Sequence, residues 1–314
     1  MANALGTLFS DIANAIRDKN GETVTMKPAE FPAKIAAIET GGGSGGGSLP
    51  AGVYWDFLDI SSPNNYKQTW IQYGGELYAV TFPYTGSGND TNIYRRDETK
   101  WTQIITKQNF NMVPPFVGAR IVYNGKLHFV SSGTTNHAVF DGTTITKLSV
   151  MPEYADYTTN VFLYNGKIAV KGCNTQTLYT WDEVTDTWMA EPSVVFPSDA
   201  QYSCYFVNVG SDIYCGIQKK LYKLENGVLS EVGQLSAYMA NNVIYHNGYL
   251  YWVYNNITAY RYNLDTNVVE KLGQIPGGKS LSCFWKYNNE LYLTACQDGQ
   301  LAVNARPHVV EESE

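Results

Sequence analysis

The chain has 314 residues, of which 44% are hydrophobic and only 16% are charged, and its formal net charge is −7. This length allows one large or two smaller domains with a sizeable buried core. Nucleic-acid binding depends on clustered Lys and Arg, and long apolar runs mark membrane spans. The sequence has neither, so we expect no nucleic-acid partner and no membrane insertion.

The first 40 residues carry an apolar stripe at helical spacing. It predicts a helix from about Ala2 to Lys19, ended by Asn20-Gly21, and a second short helix from about Pro32 to Glu39. A unit of this size buries too little surface to close its own core. Residues 1–40 are therefore expected to attach the protein to another chain or to a copy of itself, although a self-contained helical hairpin stays open. The expected contact residues are Leu5, Phe9, Ile12, Ile16, Phe31 and Ile35.

A Gly/Ser-rich linker, residues 41–50, follows this helical module. The segment from Leu8 to Ile38 resembles a short N-terminal module of tail-associated structural proteins from phages and prophages of Gram-positive bacteria. The residues that carry the resemblance are Asp11, Ile12, Ala13, Ala15, Ile16, Arg17, Lys19, Gly21, Pro28, Phe31 and Ile35. The resemblance implies a virion component, assembled in the host bacterial cytoplasm, present in several copies or as a homo-oligomer, with other tail proteins as partners. The start of the chain lacks the basic region of a signal peptide, which agrees with folding in a cytoplasm.

One hairpin unit recurs through the rest of the chain. In Ala119 to Phe129, two apolar runs flank Asn124-Gly125, the strongest short-range signal for a β-hairpin. Related turns recur roughly every 40–50 residues, the range of propeller blades. They fall at Gly74, Asn124, Asn165, Gly210, Asn247 and Asn288. Most of these hairpins precede a second pair of strands, so we predict a mainly β fold in which residues 51–314 form a six-bladed β-propeller.

The second strand pairs resemble blades of the kelch type. Tyr, Asp, Thr and Trp occur in that order at Tyr94, Asp97, Thr99 and Trp101, and again at Tyr179, Asp182, Thr185 and Trp188. The Gly-Gly doublet of that family after the second strand is missing, so no partner of kelch domains is carried over.

Two segments compete to complete the last blade. The apolar run from Gly52 to Ile60 is the favoured outer strand, because it would clasp the ring and leave Val309-Val310 loose. The alternative is Pro307 to Glu311. The third strand of this blade is expected near Gln300 to Val303.

No catalytic or metal-binding motif is readable, so we expect neither enzyme activity nor a cofactor. The four histidines are separated in sequence and are interpreted as structural: His128, His137, His246 and His308. The five cysteines have no Cys-x-x-Cys spacing and are expected to be reduced, with a Cys204–Cys215 bridge left open. Candidate acids for a glycosidase are Glu153, Asp156 and Asp199, and Asp182, Asp186 and Asp265 are expected to bond their own turn backbones.

The longer connections are expected on one rim of the ring, opposite the tight hairpin turns. Loops on a rigid scaffold commonly carry recognition, and aromatic rings can stack on sugars. The expected ligand-binding residues are Tyr84, Phe110, Tyr154, Tyr157, Tyr202 and Tyr238. The favoured function is a tail-fibre or baseplate-type structural protein whose propeller binds a host cell-surface glycan. The alternatives are a decoration protein without a ligand, and a propeller glycosidase or lyase acting on surface polysaccharide.

Overall fold

The computed structural model describes most of residues 52–310. The described ranges are 52–58, 67–82, 90–97, 100–109, 120–130, 135–153, 161–173, 175–201, 204–239, 243–255, 258–274, 280–296 and 302–310. Apart from Gly52 and Val310, they all belong to one compact unit, Val53–Val309. The helical module and the linker lie outside the described residues, so both stay predictions.

Six sheets of four strands make up the described residues. Strands that follow one another along the chain within a sheet pair antiparallel. Blade 1 contains β2 (Lys67–Tyr73), β3 (Glu76–Phe82), β4 (Asp90–Asp97) and β5 (Lys100–Asn109). Blade 2 contains β6 (Arg120–Tyr123), β7 (Lys126–Val130), β8 (His137–Phe140) and β9 (Ile145–Lys147). Blade 3 contains β10 (Phe162–Tyr164), β11 (Lys167–Lys171), β12 (Leu178–Asp182) and β13 (Thr187–Glu191).

The second half of the ring repeats this arrangement. Blade 4 contains β14 (Cys204–Val209), β15 (Asp212–Ile217), β16 (Lys220–Glu225) and β17 (Val228–Gln234). Blade 5 contains β18 (Ile244–His246), β19 (Tyr249–Tyr254), β20 (Thr258–Asn263) and β21 (Val269–Gly273). Blade 6 contains β22 (Ser280–Tyr287), β23 (Glu290–Cys296), β24 (Ala302–Val310) and β1 (Gly52–Leu58).

Helical structure is minor in the residues described. It consists there of a single 3-10 turn, Ser198–Gln201, between blades 3 and 4. No helix in this part of the chain has both the length and the apolar character needed to cross a membrane.

The predicted hairpin turns are confirmed by their backbone conformation. Asn124 and Gly125 have φ values of 46° and 71° and join Tyr123 to Lys126, the last pair of the β6–β7 ladder. Two consecutive positive φ values define the type I′ turn that matches the twist of a hairpin, and Asn and Gly tolerate them best.

Hydrophobic clusters between neighbouring blades hold the sheets face to face. One such cluster joins each blade to the next, from blades 1 and 2 round to blades 5 and 6. The sixth cluster packs Trp70 and Leu77 of blade 1 against Cys283 and Trp285 of blade 6. The ring is therefore closed, and the prediction of a six-bladed β-propeller is confirmed.

The N-terminal strand clasps the last blade, as favoured from the sequence. β1 is the outer strand beside β24, and Arg306 on β24 forms an ion pair of 3.1 Å with Asp56 on β1. The alternative outer strand, Pro307 to Glu311, is wrong. So is the expectation that Val309-Val310 is loose, because β24 continues to Val310 and serves as the third strand.

Only one of the three turn aspartates behaves as expected. Asp182 accepts hydrogen bonds of 3.1 Å from backbone N–H groups two and three positions further on. Asp186 instead accepts from the backbone N–H of Ser149 in the neighbouring blade, at 3.1 Å. At the third turn, Asn263 is the acceptor, and Asp265 contributes its own N–H at 2.9 Å. These hydrogen bonds depend on packing between blades and on the residues that neighbour each aspartate. The presence of an aspartate in a turn does not by itself predict them.

Candidate functional site: the axial cavity

The first strands of all six blades surround one cavity of about 390 Å³. Each of these strands lies at an edge of its sheet, so one side of its backbone pairs with no strand of that sheet. We call this space the axial cavity, and its described lining residues are Trp70, Ile71, Gln72, Arg120, Val161, Phe206, Val207, Asn208, Val243, Ile244, Trp285 and Lys286. A ring of six edges offers backbone donors and acceptors as well as side chains.

The lining residues lie in the first strands or, for Val161 and Val243, directly before them. Arg120 stands three residues before the end of β6, and Lys286 stands one residue before the end of β22. At about 3.3 Å per residue, their backbones differ in depth along the axis by roughly 7 Å. The two basic side chains therefore enter the cavity at two levels.

Arg120 reaches from blade 2 across blade 1. Its Nη2 donates a hydrogen bond of 2.8 Å to the carbonyl oxygen of Trp70, and the guanidinium lies beside the thiol of Cys283 in blade 6. Burial lowers the pKa of Arg120, and the neighbouring Cys283 partly opposes this shift. Arginine nevertheless keeps its charge in proteins, so a fixed cation lies against the cavity wall.

Lys286 supplies the second cation of the lining. Its Nζ lies 5.8 Å from the centroid of the Tyr245 ring on the adjacent blade. Burial lowers the pKa of Lys286 below its usual value. The pKa of His246 is lowered chiefly by burial and further by the positive charge of Lys286, although Glu290 acts in the opposite direction.

Two amide side chains tie neighbouring blades together. Asn208 donates to the carbonyl of Leu163 at 2.9 Å and accepts from the Leu163 N–H at 2.8 Å. Gln72 accepts from the backbone N–H of Asn288 at 3.0 Å and donates to its side chain at 3.0 Å. These bonds hold the cavity wall in one arrangement, which lowers the entropy cost of binding.

Two tryptophans form an aromatic part of the wall. The rings of Trp70 and Trp285 stack with their centroids 5.1 Å apart. Trp285 donates its indole N–H to Thr294 at 2.9 Å. The buried indole Nε1 of Trp70 has no hydrogen-bond partner among the described residues. A buried donor of this kind is uncommon, because leaving it unsatisfied costs free energy.

No carboxylate lines the axial cavity within the described part of the chain. Of the three acids considered for hydrolysis, Glu153 accepts hydrogen bonds from the backbone N–H and the hydroxyl of Thr175. Asp156 and the side chain of Asp199 lie outside the description. The carboxylate pair that a glycosidase needs is thus not found among the described lining residues.

Five of the six aromatic residues predicted for the rim lie outside the described residues: Tyr84, Phe110, Tyr154, Tyr157 and Tyr202. The sixth, Tyr238, is 43% exposed. Its ring stacks on Tyr254 with centroids 5.9 Å apart, and the Nζ of Lys219 lies 5.5 Å from the Tyr238 ring. Ligand binding by the rim remains a prediction.

A histidine pair is buried between blades 2 and 3. His128 Nδ1 and His137 Nε2 are 3.0 Å apart, and their rings pack against Trp181. Burial lowers the pKa of His128 to about 4 and that of His137 to about 3. The described residues contain no group of three or more His, Cys, Asp or Glu arranged to hold a metal ion.

Four of the five cysteines are free thiols: Cys173, Cys204, Cys215 and Cys283. The Cys204–Cys215 bridge left open by the sequence is therefore not formed. Burial raises the pKa of the Cys215 thiol well above its ordinary value, which makes it a weak nucleophile. The side chain of Cys296 is not described.

The two cations of the cavity could not be recognised from a motif, because no motif marks them. For Arg120, however, alignment of the six repeats does contain a signal. Arg120 occupies a position that is apolar in the other five blades. These apolar counterparts, each three residues before the end of a first strand, are Trp70, Val161, Phe206, Val243 and Phe284. A charged residue in an otherwise apolar position of a repeat indicates a requirement beyond packing.

The comparisons with known proteins support the fold. No protein-family model and no curated protein matches the sequence. The solved structure of YjhT is 12% identical, with a TM-score of 0.58, over 85% of this chain and 98% of that one. An auxiliary nutrient binding protein from Bacteroides ovatus is 14% identical, with a TM-score of 0.55, over 81% of this chain and 73% of that one. A protein of unknown function from Bacteroides thetaiotaomicron is 13% identical, with a TM-score of 0.56, over 81% of this chain and 72% of that one. At such low identities, the likeness shows the propeller fold alone.

Proposed function

We propose that this chain is a structural protein of a phage or phage-like tail, of the fibre or baseplate type, whose propeller binds a host cell-surface glycan. The observation that carries the binding role is the axial cavity, a concave site with a few polar groups on a rigid wall. The resemblance of the N-terminal segment to tail-associated proteins supports the virion context. The likeness to an auxiliary nutrient binding protein agrees with a binding role for a propeller.

The chemistry of the wall suits a saccharide. Sugar hydroxyls need both donors and acceptors, and the six strand edges offer backbone groups of both kinds. Gln72 and Asn208 fix the spacing between neighbouring edges. The described lining contains no carboxylate pair of the kind that a glycosidase uses, so we favour saccharide binding over saccharide hydrolysis.

Residues 1–40 would join the propeller to the other tail proteins. Deleting them should leave a folded propeller that no longer enters the particle, because the apolar stripe provides the contact surface. Electron microscopy and protein gels of purified particles would measure incorporation. Normal incorporation of the truncated chain would refute this part of the proposal.

Glycan binding is tested with fluorescently labelled full chain on host cells. We expect saturable attachment that is lost when the surface polysaccharide is removed and that is inhibited by the purified polysaccharide. Attachment that survives complete removal of the polysaccharide would exclude a glycan receptor. Absence of any attachment would favour a decoration protein, and release of shorter saccharides from the purified polymer would favour an enzyme.

The two candidate sites on the propeller predict different variants. If the rim contributes, replacing Tyr84, Tyr154, Tyr157 and Tyr202 together by alanine should weaken attachment, with each lost ring costing about tenfold or less. If the axial cavity carries the binding, this quadruple variant should attach as the unaltered chain does. Melting temperatures of both proteins verify that the comparison is between folded chains.

A further inference from the structure

The axial cavity holds an excess of positive charge and hydrogen-bond donors. Its described lining contains Arg120 and Lys286 and no Asp or Glu. Two cations in a described lining without a carboxylate favour an anionic ligand, because anionic oxygens are the strongest acceptors for charged donors.

The positive charge of Lys286 is costly in this place unless something compensates for it. Burial lowers the pKa of both side chains, which indicates that each cation has lost part of its hydration. Among the described residues, no carboxylate forms an ion pair with Lys286, and its Nζ lies near the ring of Tyr245. Buried charges in proteins are usually paired or bound to a ligand.

The fold also holds these cations in place. Arg120 is anchored by its bond of 2.8 Å to the carbonyl of Trp70, so the guanidinium is positioned before any ligand arrives. Lys286 follows directly after Trp285 on β22, and Trp285 stacks on Trp70. Because side chains alternate along a strand, Lys286 points away from that tryptophan pair toward Tyr245, so the two cations lie at separate places on the lining.

We infer that the axial cavity is an anion-binding site that takes the negatively charged group, a carboxylate or a phosphate, of an acidic saccharide. Arg120 would bind the anionic oxygens from the deeper level, and Lys286 would bind them or a neighbouring oxygen nearer the hairpin turns. Planar guanidinium suits two oxygens at once, whereas ammonium acts as a point charge. The inference rests on the proposed function, because the saccharide is taken to be part of the host surface glycan.

The test uses the full chain with small probes of defined charge. The probes are glucuronate, which carries a carboxylate, glucose 6-phosphate, which carries a phosphate, and glucose as the neutral reference. Intrinsic tryptophan fluorescence reports on the cavity directly, since Trp70 and Trp285 line it, and titration calorimetry gives the affinity independently. We expect at least one acidic probe to bind about tenfold or more tightly than glucose, and to bind more weakly as salt is raised. The preferred probe identifies the anionic group.

Two charge-removing variants locate the site. Lys286→Gln and Arg120→Gln should each weaken binding of the acidic probe by about tenfold or more, and should leave glucose binding nearly unchanged. Lys147→Gln, on the exposed outer strand β9, is the matched control for loss of one positive charge and should change nothing. Because Arg120 also supports Trp70, Arg120→Lys is added, which keeps the charge if Arg120→Gln does not fold.

The outcomes separate the inference from the proposed function. Acidic probes that bind no better than glucose would overturn the inference, as would full affinity in the folded Lys286→Gln and Arg120→Gln proteins. Cell attachment that persists in these variants would then leave the proposed function standing. Conversely, a chain that binds acidic probes through Arg120 and Lys286 but does not attach to host cells would refute the function and keep the anion site.

Discussion

The buried histidine pair should make the propeller sensitive to mild acid. His128 and His137 are 1% and 0% exposed, and their facing nitrogens are 3.0 Å apart. Their outer nitrogens, His128 Nε2 and His137 Nδ1, have no hydrogen-bond partner among the described residues. Protonation would place a cation in this apolar space between blades, so the folded protein keeps both rings neutral.

The direction of the pH dependence follows from the two pKa values. The pKa falls from an unfolded value of 6.5 to about 4 for His128 and to about 3 for His137. The folded state thus binds fewer protons than the unfolded state, and stability falls as the pH falls below 6.5. At about pH 5 each unfolded histidine has gained roughly 2 kcal/mol from protonation, which the folded protein does not gain. The pair should therefore cost about 4 kcal/mol of folding free energy between pH 7.5 and pH 5.

Urea unfolding, followed by tryptophan fluorescence at several pH values in this range, measures the effect. The range lies above the ordinary pKa values of Asp and Glu, so carboxylates contribute little to it. His128→Gln and His137→Gln should each reduce the slope of stability against pH by up to about 1.4 kcal/mol per pH unit. His308→Gln, at an exposed position on β24, is the control and should keep the slope of the unaltered protein.

The slope is the quantity to compare, because both variants also change packing and therefore lower stability at every pH. His246, whose pKa is lowered as well, adds to the slope of all four proteins and cancels in the differences. A free energy of unfolding that stays constant from pH 7.5 to pH 5 would refute the reasoning. An unchanged slope in both pair variants would assign the acid sensitivity to other groups.

Two further predictions concern the architecture. A methyl group at Gly233 would lie 2.1 Å from the hydroxyl oxygen of the buried Tyr262, so Gly233→Ala should destabilise the fold by about 1–3 kcal/mol in urea unfolding. The control, exposed Ser230→Ala on the same strand, should have no measurable effect. If Gly233→Ala is as stable as the unaltered protein, blades 4 and 5 can separate there at no cost. Deleting residues 1–58 removes the clasp strand β1, so it should lower the melting temperature and cause aggregation through the exposed edge of β24. Deleting residues 1–50 should leave the melting temperature unchanged. Equal melting temperatures of the two truncated proteins would contradict closure by β1.

The repeat architecture was predictable because its signals are local. Asn124-Gly125 needs only its own φ values to form a hairpin turn, and the recurrence of such turns gives the number of blades. Closure by β1 followed from the need to pair an open edge. The course of β24 was not predicted, because the strand continues to Val310 beside β1 where a loose end was expected.

The contents of the site depend on contacts that the sequence does not specify. His128 and His137 are separated by nine residues, and only the pairing of His128 with Val139 and of Val130 with His137 brings them together on one face. Arg120 meets Trp70 and Cys283 because three blades converge on one axis. Register within a sheet and neighbours around the ring therefore decide the chemistry, and neither can be read from a short motif.

The most direct test of the account is a crystal structure of the full chain with the acidic saccharide that binds best in the titrations. We expect the saccharide in the axial cavity, with its carboxylate or phosphate oxygens within hydrogen-bonding distance of Arg120 and Lys286 and beside Trp70. A saccharide bound only at the rim of long loops, with the axial cavity filled by water, would contradict the account.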